Sequence, residues 1–298
     1  MRAFAHAMAL LYAAAASAAA QGAGPDPDIY LAPITRIRDS IVIGKPTNIT
    51  HRPGYDNQPS FLPNSRGILY TVVGADAQAD IWRYDIAERR TSRVTSTPES
   101  EYSAAVMPGG RRMSVIRVEA DSTQRLWSFD LDGTNPQLLL SALKPVGYHA
   151  WLTPSRLATY VLGSPSTLHI IDSDGGHDEV RARDIGRALQ RIPGRDAFSY
   201  TQRDSAKTLW IMTQMTSGES ITMIVKAAAD NEYHVWTPDG VLLSATNGML
   251  VRWNRALDAT TGWIPVADLS RAGVKNVSRL AVSPDGRWLA FVAEPVSP

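Results

Sequence analysis

No cysteine occurs anywhere in the 298 residues. Disulfide staples, thiolate metal sites and cysteine nucleophiles are thereby excluded, so stability has to come from apolar burial. A bacterial lipid anchor needs a cysteine at its cleavage point, so the chain is not expected to be a lipoprotein. Charge of one sign is also missing. Thirty basic residues face 29 acidic ones for a formal net charge of +1, and such a balance offers a phosphate backbone no attractive field. Nucleic acid is therefore not an expected partner. After the first twenty residues no apolar run reaches the length of a membrane span. There is no Gly-x-Ser-x-Gly elbow, no Asp-x-Asp-x-Asp-Gly calcium loop and no long amphipathic helical pattern. Only Arg181 to Gln190 is left undecided between helix and strand.

What is present begins with a targeting signal. Arg2 precedes an alanine-rich run from Ala3 to Ala20, broken by His6 and Ser17, and Ala18-Ala19-Ala20 before Gln21 suits signal-peptidase cleavage. The expected organisation is a signal peptide over residues 1–20, a short segment over 21–27 and one domain over 28–298. The mature chain is expected in the periplasm or outside the cell, as a monomer with no membrane span after cleavage.

The domain is repetitive. A proline follows a short apolar stretch and precedes a turn and a second apolar strand at Pro63, Pro108, Pro154, Pro193, Pro238 and Pro284, at intervals of 45, 46, 39, 45 and 46 residues. In the sharpest copies, Pro238-Asp239-Gly240 and Pro284-Asp285-Gly286, proline presets φ at one corner and glycine accepts positive φ at another. A third strand with aromatic residues follows, as in Asp80 to Ile86 and Arg125 to Leu131, alternating with period two. A fourth ends in an apolar residue plus a hydroxyl, Val94-Thr95 and Leu140-Ser141. Four short antiparallel strands per unit of about 45 residues predict an all-β fold, a six-bladed β-propeller of four-stranded blades.

The last repeat stops after two strands. The complement lies at the other end, where Asp28-Ile29-Tyr30 matches Asp80-Ile81-Trp82 as a third strand and Ile49-Thr50 matches Val94-Thr95 as a fourth-strand ending. The N- and C-terminal strands are thus expected to share blade six and close the ring. These motifs resemble the TolB-type family of exported propellers with WD40-like PD40 repeats. The resemblance covers residues 28–298 and implies the fold. The additional N-terminal α/β domain of TolB is not expected here, and a role in the Tol–Pal envelope system does not carry over.

Spacing ahead of each proline points to residues at the mouth of the central channel: Gln58, Tyr102, Tyr148, His149, Gln190, Tyr233, His234 and Arg279. Tyrosines, imidazoles, amides and an arginine suit hydrogen bonding and stacking against a polar ligand or an extended peptide. Blades three and five carry near-identical elements, Tyr148-His149-Ala150-Trp151 and Tyr233-His234-Val235-Trp236. Two histidines fall short of a metal site, so repeated packing is the expected role and no metal is assigned. Asp28, Asp80 and Asp130 lie in strand and turn contexts, and Trp82, Trp127, Trp210 and Trp253 are expected between blades. With no catalytic residues and no cofactor assigned, the expectation is a non-enzymatic protein that binds a protein or peptide partner at the channel mouth. The alternative is a propeller for carbohydrate or another small ligand, lyase-like in its use of His149, His234 and Arg279.

Overall fold

The computed structural model describes residues 26–38, 40–218 and 220–296. The expected signal peptide and residues 21–25 lie outside the described residues. Six antiparallel sheets form a ring of blades, each with its first strand innermost. The innermost strands are Tyr55–Phe61, Ser100–Val106, Val146–Thr153, Ile185–Arg191, His234–Trp236 and Val274–Val282, in blades one to six. Val274–Val282 packs on Tyr55–Phe61, which joins the last blade to the first. The segment left undecided by the sequence is two strands, Glu179–Arg183 at the edge of blade three and Ile185–Arg191 at the centre of blade four. Among the described residues helix is confined to two short 3₁₀ turns, Ala228–Asp230 and Leu269–Ala272, and no helix is long and apolar enough to cross a membrane. The described residues hold no α/β domain ahead of the propeller.

Blade six is shared between the two ends of the chain. Asp28–Ile37 pairs antiparallel with Trp288–Pro295 in the register Ile29↔Val292, Tyr30↔Phe291 and Leu31↔Ala290. Strand alternation sends its side chains to opposite faces. Ile29 and Leu31 enter the core against Ile68, Tyr70 and Val72 of blade one. Tyr30, Ala32 and Ile34 enter the core against Val235, Leu243 and Leu250 of blade five, where Tyr30 stacks on Phe291 at 5.5 Å. The outer position is divided. Thr47–Asn48 pairs with Tyr30 and Leu31, while Ser40–Ile43 folds back on Ile34 to Ile37. Arg36 on that extension reaches the turn of blade five, bonding Thr237 Oγ1 at 3.1 Å and pairing with Asp239.

The repeated motifs have a common chemistry at the seams. Ile29 N–H donates to Thr50 Oγ1 at 3.0 Å, and Ile81 N–H donates to Thr95 Oγ1 at 2.9 Å. The hydroxyl thus fills a ladder position that the short fourth strand leaves open. Asp28 accepts from Thr50 Oγ1 and Asn48 Nδ2, Asp80 pairs with Arg93 at 2.7 Å, and Asp130 pairs with Arg112 at 2.5 Å, so all three aspartates are bonded within their blades. In the turns, Thr237 Oγ1 and Ser283 Oγ each donate to the aspartate two residues on at 2.6 Å, and Gly240 and Gly286 sit at φ 82° and 71°. Positive φ is what the Pro-Asp-Gly turn requires of its glycine.

Candidate functional site

Five blades lend a large polar side chain, from the innermost strand or just ahead of it, to a layer inside the channel: Tyr55, Tyr148, Arg187, Tyr233 and Arg279, in blades one and three to six. The layer is tied together across the ring. Arg279 Nη2 donates to Tyr148 Oη at 2.8 Å. Blades six and three are opposite in a ring of six, so this bond crosses the channel. The guanidinium carbon also lies 4.8 Å from the Tyr148 ring centre and 4.7 Å from that of Tyr233, both within cation–π reach. Arg187 bonds Tyr233 Oη at 3.3 Å and pairs with Glu232 at 3.2 Å, while its backbone N–H donates to Glu232 Oε2 at 2.9 Å. Burial is the largest influence on the phenols of Tyr55 and Tyr233 and raises both pKa values, although the Arg279 charge opposes it. Both phenols are neutral in the folded protein.

A cavity of about 340 Å³ adjoins this layer. It is lined by Tyr148, Arg187, Tyr233 and Arg279 and continues along the same strands to Pro59, Val106, Trp151 and Arg191, toward the proline turns. Seven of the eight residues named from sequence line it: Gln58, Tyr148, His149, Gln190, Tyr233, His234 and Arg279. Tyr102 packs its ring against the seam of blades two and three, beside Ile116 and Leu140. Seven of the eight stand within innermost strands, and Tyr233 immediately precedes that of blade five.

Gln58, Ser103 and Arg279 have φ of 60°, 55° and 39°. Each sits at a register irregularity between its innermost strand and the next. The blades that carry these three left-handed residues, six, one and two, are neighbours in the ring. Left-handed backbone at a non-glycine residue is costly and is held in place by its surroundings. At the junction of blades one and two, Gln58 Oε1 accepts from Thr71 Oγ1 at 2.7 Å and from Ser103 N–H at 2.8 Å, which locks two of the bulges to each other.

The histidine elements act as clasps between blades. His149 Nε2 lies 2.6 Å from Ser114 Oγ of blade two, which also accepts from Trp151 Nε1 at 2.9 Å. His234 repeats this on blade four, with Nε2 at 2.8 Å from Ser199 Oγ and Trp236 Nε1 at 2.8 Å from the same oxygen. Burial lowers both imidazole pKa values to about 4, so both rings are neutral. With each Nε2 committed to a serine, His149 and His234 position neighbouring blades. Ser199→Ala strands the indole N–H of Trp236 and the ring nitrogen of His234 together. The expected loss is about 2–4 kcal/mol of unfolding free energy, read from the urea midpoint at constant m-value. An unchanged midpoint would remove the clasp from the account.

Two layer residues escaped the sequence reading. Arg187 follows Gly186 as Tyr148 follows Gly147, and stands 39 residues after it, the same interval as Pro154 to Pro193. That spacing was a usable signal. Tyr55 had none, because it stands eight residues ahead of Pro63, where Tyr102, Tyr148 and Arg187 stand six ahead of their prolines.

No family model matches the chain. Solved structures with a similar fold include a protein assigned as TolB from Agrobacterium tumefaciens (14% identity, 90% of this chain and 98% of that one, TM-score 0.67). A gluconolactonase from Xanthomonas campestris matches at 9% identity, 93% and 99% coverage and TM-score 0.62. An oligogalacturonate lyase in complex with manganese matches at 14% identity, 84% and 80% coverage and TM-score 0.57. At such identities the likeness is one of fold, and the fold is a TolB-like propeller. The expectation that the chain is not an enzyme does not stand. The same ring carries a lyase and a gluconolactonase, and a propeller scaffold leaves its chemistry to a few channel side chains. Lack of a familiar catalytic sequence pattern therefore says little about activity.

Proposed function

We propose that the chain is an exported, periplasmic or secreted ligand-binding propeller that receives part of a protein or peptide partner in its channel cavity. The observation that carries this reading is the polar aromatic layer, of which Tyr148, Arg187, Tyr233 and Arg279 line a cavity that continues toward the proline turns. Tyrosine faces and hydroxyls, the Gln58 and Gln190 amides and two guanidiniums are groups suited to peptide bonds and polar side chains. Tyr148, Gln58, Gln190, Tyr233 and Arg279 would meet the ligand, while His149, His234 and Tyr102 hold the wall that presents them.

A photo-reactive residue at Arg191, exposed on the cavity rim, tests this in cells. A polypeptide adduct is expected from Arg191 and none from Arg90, whose side chain is 75% exposed on the outermost strand of blade one. No adduct from the rim, or equal adducts from both positions, would remove the protein-partner reading. A second reading is supported by the cavity volume, which lies at the small end of the about 300–1,000 Å³ typical of small-ligand pockets. In that reading a carbohydrate or other small polar molecule occupies the same groups, and mass spectrometry of the purified protein under native conditions would detect it.

A further inference from the structure

The cavity wall is electropositive in a specific way. Its lining includes Arg187, Arg191 and Arg279, and among the described residues it includes no aspartate or glutamate. Arg191 is exposed at the rim, and Glu232 offsets the charge of Arg187. Arg279 has no carboxylate partner among the described residues. Its surroundings are phenols, and those of Tyr55 and Tyr233 are neutral. A guanidinium carries five N–H donors in a planar fork that matches a carboxylate, and the Tyr148 hydroxyl takes one of them. The left-handed backbone of Arg279 and its contacts with the rings of Tyr148 and Tyr233 fix where that fork stands.

Space decides which carboxylate. The Arg279–Tyr148 bond bars the channel, so a chain cannot thread past it without breaking the bond, and about 340 Å³ holds a short chain end. We infer that Arg279 receives the free C-terminal carboxylate of a peptide, with the last residues against the faces of Tyr148 and Tyr233 and the preceding chain leaving past Arg191. This rests on the peptide reading proposed above and adds the end of the peptide that is read.

Calorimetry with a random tetrapeptide pool, once with free C termini and once amidated, tests the inference, with D-glucuronate as a third probe. The free-acid pool is expected to bind the wild-type protein about ten- to a hundredfold more tightly than the amide pool, the range of a charge-assisted pair. Arg279→Gln should abolish that preference, and Arg279→Lys should keep part of it. The wild-type comparison decides by itself if Arg279→Gln does not fold. Equal binding of acid and amide pools overturns the carboxylate inference and leaves peptide binding standing. Arg279-dependent binding of glucuronate alone keeps the carboxylate and overturns the peptide reading. Binding of none of the three overturns both.

Discussion

Deleting residues 28–50 is expected to abolish the cooperative melting transition of the whole ring. The deletion removes Ile29, Tyr30, Leu31, Ile34, Ile41 and Ile49, all buried. It also opens two cores at once, because alternate residues of Asp28–Ile37 face blade five and blade one. At about 2 kcal/mol per large apolar side chain the loss is about 12 kcal/mol, comparable with the entire stability of an ordinary domain. The remaining hairpin, Val274–Val282 with Trp288–Pro295, keeps a long edge without its partner, a site for mispairing. Scanning calorimetry is the measurement. The truncated chain should show no two-state transition and should associate at micromolar concentration. An unchanged transition would mean that the shared blade is not what closes the ring, and the account of the seam would fail with it.

That closure was legible in the sequence because it rests on local chemistry that repeats. Asp28-Ile29-Tyr30 could be matched to Asp80-Ile81-Trp82, and Thr50 to Thr95, since each copy makes the same bond between an isoleucine N–H and a threonine hydroxyl. The outer strand Ser40–Ile43 was not legible, because it packs Ile41 into the core shared with blade five and has no counterpart in the other blades. The site divides in the same manner. Tyr148, His149, Tyr233 and His234 stand at repeat positions and were found. Tyr55 stands two residues ahead of the repeat position, and the role of Arg279 depends on a reach from blade six to blade three. Pattern repeats reveal the wall of a channel. What crosses it is a property of the closed ring alone.

Unfolding free energy is expected to stay nearly flat between about pH 4.5 and 6.5, through cancellation of two opposed sets of buried groups. His234 is 1% exposed, and burial lowers its pKa to about 4 from an ordinary 6.5. In that window the unfolded chain binds a proton that the folded chain refuses, so stability falls as pH falls through it. Burial lowers His149 to about 4 as well, and it acts in the same direction. Glu101 is fully buried, and burial raises its pKa to about 7 against the hydrogen bonds of Thr97 and Thr95 and the charge of Arg117. Asp56 is raised to about 6 by burial, against the charge and hydrogen bond of Arg52. For these two the folded chain binds the proton more tightly, so stability rises as pH falls through the same range. Each group supplies a slope of at most about 1.4 kcal/mol per pH unit, and two set against two leave little net slope. Substitution exposes the balance. Glu101→Gln should leave a protein that loses stability as the pH is lowered from 6.5 to 4.5, and His234→Gln one that gains stability over the same interval. Urea midpoints taken at half-unit steps of pH would show both. If the two variants slope in the same direction, at least one of these groups keeps an ordinary pKa in the fold, and either the neutral imidazole clasp or the protonated Glu101 carboxyl is mistaken.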